Sequence, residues 1–163
     1  MMTYAVTYAE KGWSVLPLAS NSKQPARFLK HGYLDATTDI ATINKWFDGK
    51  ELNIGLGIVQ SNLVVLDFDD RNVTDRKAWI KYMSMCEQSN THVVHTFDGW
   101  HYYFKADPKL QFKGKLIDGI DIKHKGYVVL PPSIHPTGYQ YEVANDVEPV
   151  ELPDELLKVC TWN

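Results

Sequence analysis

Apolar and polar positions along the chain alternate in a way that predicts short strands and a few amphipathic helices. Residues 3–11 read as a helix stopped by Gly12, and 13–18 as a short apolar strand. Residues 19–37 are loop-like and hold Lys23, Pro25, Arg27, Lys30 and Gly32. Asp39 or Thr38 can cap a helix over 40–47, with Ile40, Ile43, Trp46 and Phe47 on one face. Residues 54–59 and 63–68 read as the arms of a hairpin turning at Gln60-Ser61-Asn62. A helix over 75–88 has Ala78, Trp79, Tyr82 and Met85 as its inner stripe. Strands at 92–97 and 100–105 are joined through Asp98-Gly99, a favoured hairpin turn pair. Further strands fall at 119–123, 126–130 and 139–143, with Pro131-Pro132 as a break. Pro153 opens a last helix from 154 to about 160. This order of antiparallel hairpins and scattered helices predicts an α+β fold, with mixed or antiparallel sheets, rather than a doubly wound one.

A length of 163 residues suits one domain over 1–163, or two small lobes, about 1–60 and 61–163, around one cleft. No apolar run approaches the ~18 to 20 residues that a membrane span needs. The N-terminus has no basic segment followed by an apolar one, so neither a secretory signal nor a membrane partner is expected. Cys86 and Cys160 lack zinc-ligand spacing, which favours a reduced, cytoplasmic setting. The net charge of −3 argues against a protein that grips nucleic acid by bulk charge. A carboxylate-rich catalytic site would itself lower that charge, so a polymerase stays admissible.

The sharpest local signal is Leu63-Val64-Val65-Leu66-Asp67-Phe68-Asp69. Four consecutive apolar residues predict a buried strand, and carboxylates two apart on a strand share a face. Two anions side by side repel, and a hard divalent cation such as Mg²⁺ or Mn²⁺ relieves the repulsion. A solvated turn at the strand end is the alternative, since Asp is common there; Asp70 reads as turn or helix-cap material. Asp121, in Gly119-Ile120-Asp121-Ile122-Lys123, is either a surface residue or a third acid converging from another strand. Spacing alone does not bring the three together.

His101 begins an aromatic strand, Gly99-Trp100-His101-Tyr102-Tyr103-Phe104. It is either a structural histidine or a phosphate contact near a metal site. Lys123 and Lys125 follow Asp121 and could neutralise a triphosphate, or stand as exposed strand-end charges. Gly55 and Gly57 do not complete a phosphate-binding loop and read better as sites of close strand packing. The remaining histidines lack transition-metal spacing.

Taken in order, these segments resemble the Prim-Pol domain family of archaeo-eukaryotic-type primases. Residues 8–18 are similar to the family's opening helix and strand, and Lys23-Gln24-Pro25 to its Lys-x-Pro loop. The segment 31–39 resembles the lead into its second helix. Residues 63–69 resemble its apolar-Asp-x-Asp metal motif, 99–104 its histidine motif and 119–123 its third, acidic motif. Residues 126–138 are similar to the stretch that the family carries directly after its acidic motif. Two loops depart from the common pattern. One Gly, rather than a pair, precedes His101, and Lys123-His124-Lys125-Gly126 is one residue tighter than the usual form.

The resemblance implies an RRM-like catalytic core with a cleft. It implies that Asp67, Asp69 and Asp121 hold two Mg²⁺ or Mn²⁺ ions and that His101 contacts the nucleotide. Lys123, Ser133 and His135 transfer to the triphosphate side of the pocket. The implied reaction is template-directed transfer of a nucleotide from an NTP or dNTP to a 3′-hydroxyl, in plasmid, phage or mobile-element replication. DNA template, primer and nucleoside triphosphates are the implied partners, with a helicase or helical priming segment in a larger protein. The rival readings are an inactive nucleotide- or DNA-binding module of a replication protein, and a two-metal nuclease, which would also use clustered acids.

Overall fold

The computed structural model describes residues 1–162. In chain order its elements are α1 (Met2–Glu10), β1 (Val15–Leu18), α2 (Ile40–Phe47), β2 (Asn53–Gly57), β3 (Leu63–Asp69), α3 (Arg76–Gln88), β4 (His92–Thr96), β5 (Gly99–Lys105), β6 (Lys115–Ile117), β7 (Ile120–Lys123), β8 (Tyr127–Leu130), β9 (Glu142–Asn145), β10 (Val150–Glu151) and α4 (Asp154–Cys160). Short 3₁₀ turns cover Gly32–Asp35 and Asp70–Asn72. The class is α+β, as the patterning predicts.

The chain forms two compact units. One comprises Met1–Ser61 and Lys125–Glu142, the other Asn62–His124 and Val143–Asn163. The first holds the antiparallel sheet β1-β2-β8. Gly55 faces Leu16 in register, and a methyl there would lie 2.9 Å from the Leu16 side chain, which bears out the close-packing reading of this glycine. Helix α1 turns Ala5, Tyr8 and Ala9 inward, and Tyr8 stacks on Trp13 with ring centroids 5.6 Å apart. The Asp39 carboxylate caps α2 by accepting from the Thr42 amide at 3.1 Å.

The second unit holds a seven-stranded sheet ordered β6-β7-β3-β5-β4-β9, with β10 beside β5. The pairings of β3, β4, β5, β6 and β7 with one another are antiparallel, and β10 runs parallel to β5. One face supplies the core: Val64, Leu66 and Phe68 from β3, Tyr102 and Phe104 from β5, Ile120 and Ile122 from β7. Trp79 and Cys86 of α3 and Leu156 and Cys160 of α4 join them. Phe68 sits edge-on to Trp79 at 5.7 Å and packs against Tyr102 at 5.1 Å between centroids. Burying an apolar side chain of this size contributes about 1.5–3 kcal/mol each. Tyr102 keeps its polar end satisfied by donating to Glu87 Oε1 at 2.5 Å.

The hairpin expected over 54–68 does not form. β2 pairs with β1 and β8, while β3 pairs with β5 and β7 in the other sheet. Two neighbouring apolar runs reveal that each is a strand, not which edge each will meet. The strand expected at 139–143 is displaced to Glu142–Asn145, and Gln140 instead bridges Ile134. β6 and β10 are too short to leave a periodic signal.

Candidate active site

β3 lies between β7 and β5, and its residue 67 fixes the site. Asp67 faces His101 in register on β5 and Asp121 in register on β7. Directly opposed residues in an antiparallel ladder project to the same face. His101, Asp67 and Asp121 therefore form a row across three adjacent strands, on the face opposite the Val64-Leu66-Phe68 core. Asp69, two residues along β3, shares that face and stands opposite Gly99. Lys123 shares it too, opposite Val65. The register thus sets Asp121 beside Asp67 on one sheet face, an adjacency that spacing alone left open.

Exposure rises along the row. The side chain of His101 is 10% exposed, that of Asp67 24% and that of Asp121 51%. His101 Nε2 lies 3.5 Å from Asp67 Oδ1, and its buried Nδ1 has no hydrogen-bond partner among the described residues. Lys123 Nζ is 4.0 Å from Asp121 Oδ2. Lys115, opposite Asp121 on β6, turns instead to Asp118 at 2.9 Å. The hydrogen bond from Lys115, helped by one from Thr74, holds the Asp118 carboxyl below its ordinary range. Like charges directly opposite on neighbouring strands are destabilising, so the Asp67–Asp121 pairing runs against what a sheet needs for its own stability.

The strand end has different partners. Asp69 Oδ1 accepts from the Arg71 amide at 2.9 Å and from Arg71 Nε at 3.4 Å. Its Oδ2 accepts from Arg71 Nη2 and Asn72 Nδ2, both at 3.2 Å. Arg71 Nε also lies 2.6 Å from Asp98 Oδ2, at the tip of the β4–β5 hairpin. Asp70, read as turn material, lies in the 3₁₀ turn and pairs with Arg76 at 2.7 Å. Two glycines let the backbones meet here. A methyl on Gly99 would lie 1.7 Å from the Phe68 carbonyl oxygen. Gly119, at φ +93°, has its carbonyl held by the Asp69 amide at 2.8 Å and Trp79 Nε1 at 3.1 Å, which anchors the start of β7.

The sequence pattern by itself does not point to Arg71 or Asp98. An arginine directly after Asp67-Phe68-Asp69-Asp70 was the available signal, and Asp98 read only as half of a turn pair. Ser133 and His135 belong to the first unit. The buried Ser133 hydroxyl ties to Ile54, accepting from its amide at 2.8 Å. His135 Nδ1 meets Thr137 Oγ1 at 2.8 Å within a local turn.

The donor set has the chemistry of a hard divalent cation: carboxylate oxygens on one sheet face, with an imidazole beside them and no thiolate. Among the described residues no three His, Cys, Asp or Glu side chains are gathered into a formed metal centre. Asp69 in particular has both oxygens engaged by Arg71 and Asn72.

The profile of the family described as "Bifunctional DNA primase/polymerase, N-terminal" matches residues 5–155. No curated protein matches the chain. Among the described residues no helix is long and apolar enough to cross a membrane.

Proposed function

The chain belongs to the Prim-Pol family of bifunctional DNA primase/polymerases, whose substrates are DNA and nucleotides, and we propose that it catalyses metal-dependent, template-directed nucleotidyl transfer from an NTP or dNTP to a 3′-hydroxyl. The setting we propose is replication of a plasmid, phage or mobile element. The single observation that carries the reading is the register of Asp67 with both Asp121 and His101, with Asp69 on the same face. A sheet has no structural reason to set two carboxylates opposite one another.

In this reading Asp67, Asp69 and Asp121 hold Mg²⁺ or Mn²⁺. Bound there, the metal supplies acidity to the 3′-hydroxyl and charge neutralisation to the triphosphate. His101 presents Nε2 beside Asp67 and donates to a phosphate oxygen where charge develops. Its burial between the strands fixes the ring before nucleotide arrives. Lys123, beside Asp121, adds a positive charge on the same face. No covalent intermediate is needed.

Primer extension with each nucleotide type, in Mg²⁺ and in Mn²⁺, tests the proposal, with one reaction lacking primer. Extension that depends on metal and on Asp67 is expected. One observation favours the inactive-module reading: Asp69 is already engaged by Arg71. DNA or nucleotide binding without metal-dependent turnover would establish that alternative. Cleavage of labelled DNA in Mn²⁺ without nucleotide would establish a nuclease.

A further inference from the structure

We propose that Arg71 is a resident counter-ion of the site, competing with the divalent cation for Asp69 and so weakening metal binding in the absence of substrate. The inference rests on the proposed role of Asp69 as a metal ligand. Arg71 approaches both Asp69 oxygens, through its amide and Nε at Oδ1 and through Nη2 at Oδ2. The same guanidinium lies 2.6 Å from Asp98, so it bridges a carboxylate on β3 and one on the β4–β5 turn. A planar fork matched to carboxylates is what lysine lacks. The side chain is 73% exposed, so it can leave without opening the core.

An arginine that only stabilised the fold would gain little here, since exposed ion pairs contribute weakly. What it does do is place a fixed positive charge on an oxygen pair that a metal would need. A cation arriving at Asp69 must displace the guanidinium. A triphosphate would offer that guanidinium a new anion, since Arg–phosphate contacts are charge-assisted and often bidentate.

Mn²⁺ binding, followed by the electron paramagnetic resonance of free Mn²⁺ at low salt and without nucleotide or DNA, tests this directly. Wild type is compared with Arg71→Ala, Arg71→Gln, Arg71→Lys and Asp67→Asn, each checked by far-UV circular dichroism and melting. Arg71→Ala and Arg71→Gln should bind Mn²⁺ roughly two- to fivefold more tightly, the scale of an exposed ion pair, and Arg71→Lys should fall nearer wild type. Asp67→Asn should bind more weakly. Unchanged or weaker binding in both Arg71→Ala and Arg71→Gln, with Asp67→Asn still impaired, overturns the competition and leaves the site intact. Wild-type affinity in Asp67→Asn overturns the site reading, and the inference falls with it.

Discussion

From β3 alone, Val64, Leu66 and Phe68 enter the core while Asp67 and Asp69 stand on the opposite face. The same split recurs on the neighbours. Tyr102 and Phe104 oppose His101 across β5, and Ile120 and Ile122 oppose Asp121 across β7. On the core face each residue lowers the free energy of folding, through burial and through the Phe68–Trp79 and Phe68–Tyr102 ring contacts. On the other face the Asp67–Asp121 register works against it. One set of strands thus serves two purposes, with the apolar face stabilising what the acid face strains.

The largest effect should come from the apolar face. Phe68→Ala removes a fully buried ring and should cost about 3–5 kcal/mol, measured by urea unfolding. Cys86 and Cys160 provide an independent readout. Both are free and fully buried, and burial is the main cause raising each thiol's pKa, that of Cys160 to about 12. They should resist alkylation in the native protein and label readily in Phe68→Ala. A fully stable Phe68→Ala would mean that the core is not organised around this ring.

Asp67→Ala comes next and should lower activity without lowering stability. Removing a partner that merely supports a metal ligand typically costs ~10–100-fold, so removing the proposed ligand itself should cost more than about 100-fold in primer extension. The melting temperature should hold or rise, because a carboxylate opposite Asp121 is gone. Metal-dependent extension that persists, or a variant that unfolds, would make the acid face an ordinary part of the scaffold.

Gly99→Ala probes the place where the two faces share a backbone. The added methyl would sit 1.7 Å from the Phe68 carbonyl oxygen, so the hairpin must move. Strain of this kind costs about 1–3 kcal/mol. Because Gly99 faces Asp69, extension measured on the folded fraction should fall as well. Stability lost with specific activity intact would show that the acid face tolerates a displaced hairpin.

The difference between the faces also explains what could be read from the sequence. Alternation along residues 63–69 announces a buried strand and puts Asp67 and Asp69 together, because strand periodicity is local. The meeting with Asp121 and His101 depends on which strands become neighbours and in what register, and positions 67 and 121 lie 54 apart in the chain. Order of motifs supplied that link, through family resemblance rather than through spacing. For the same cause the adjacent apolar runs over 54–68 look like one hairpin in the sequence but join different sheets. The contact of Arg71 with Asp98 is not legible in the sequence, because the two positions lie 27 apart and meet only in the fold.

The smallest predicted effect asks whether the faces are independent. Asp75 caps α3 by accepting from the Ala78 amide at 3.1 Å. Asp75→Ala should cost about 0.5–2 kcal/mol, as loss of a helix N-cap does, and Asp75→Asn should recover most of it. The helix carries Trp79, which packs on Phe68 and donates to the Gly119 carbonyl at the start of β7. Two residues later that strand bears Asp121. A cap that only holds the helix will lower the urea midpoint and leave extension per folded molecule unchanged. A fall in extension beyond the loss of folded protein would mean that α3 sets the position of β7 through Trp79. The core face would then be aiming one of the carboxylates as well as stabilising the sheet beneath it.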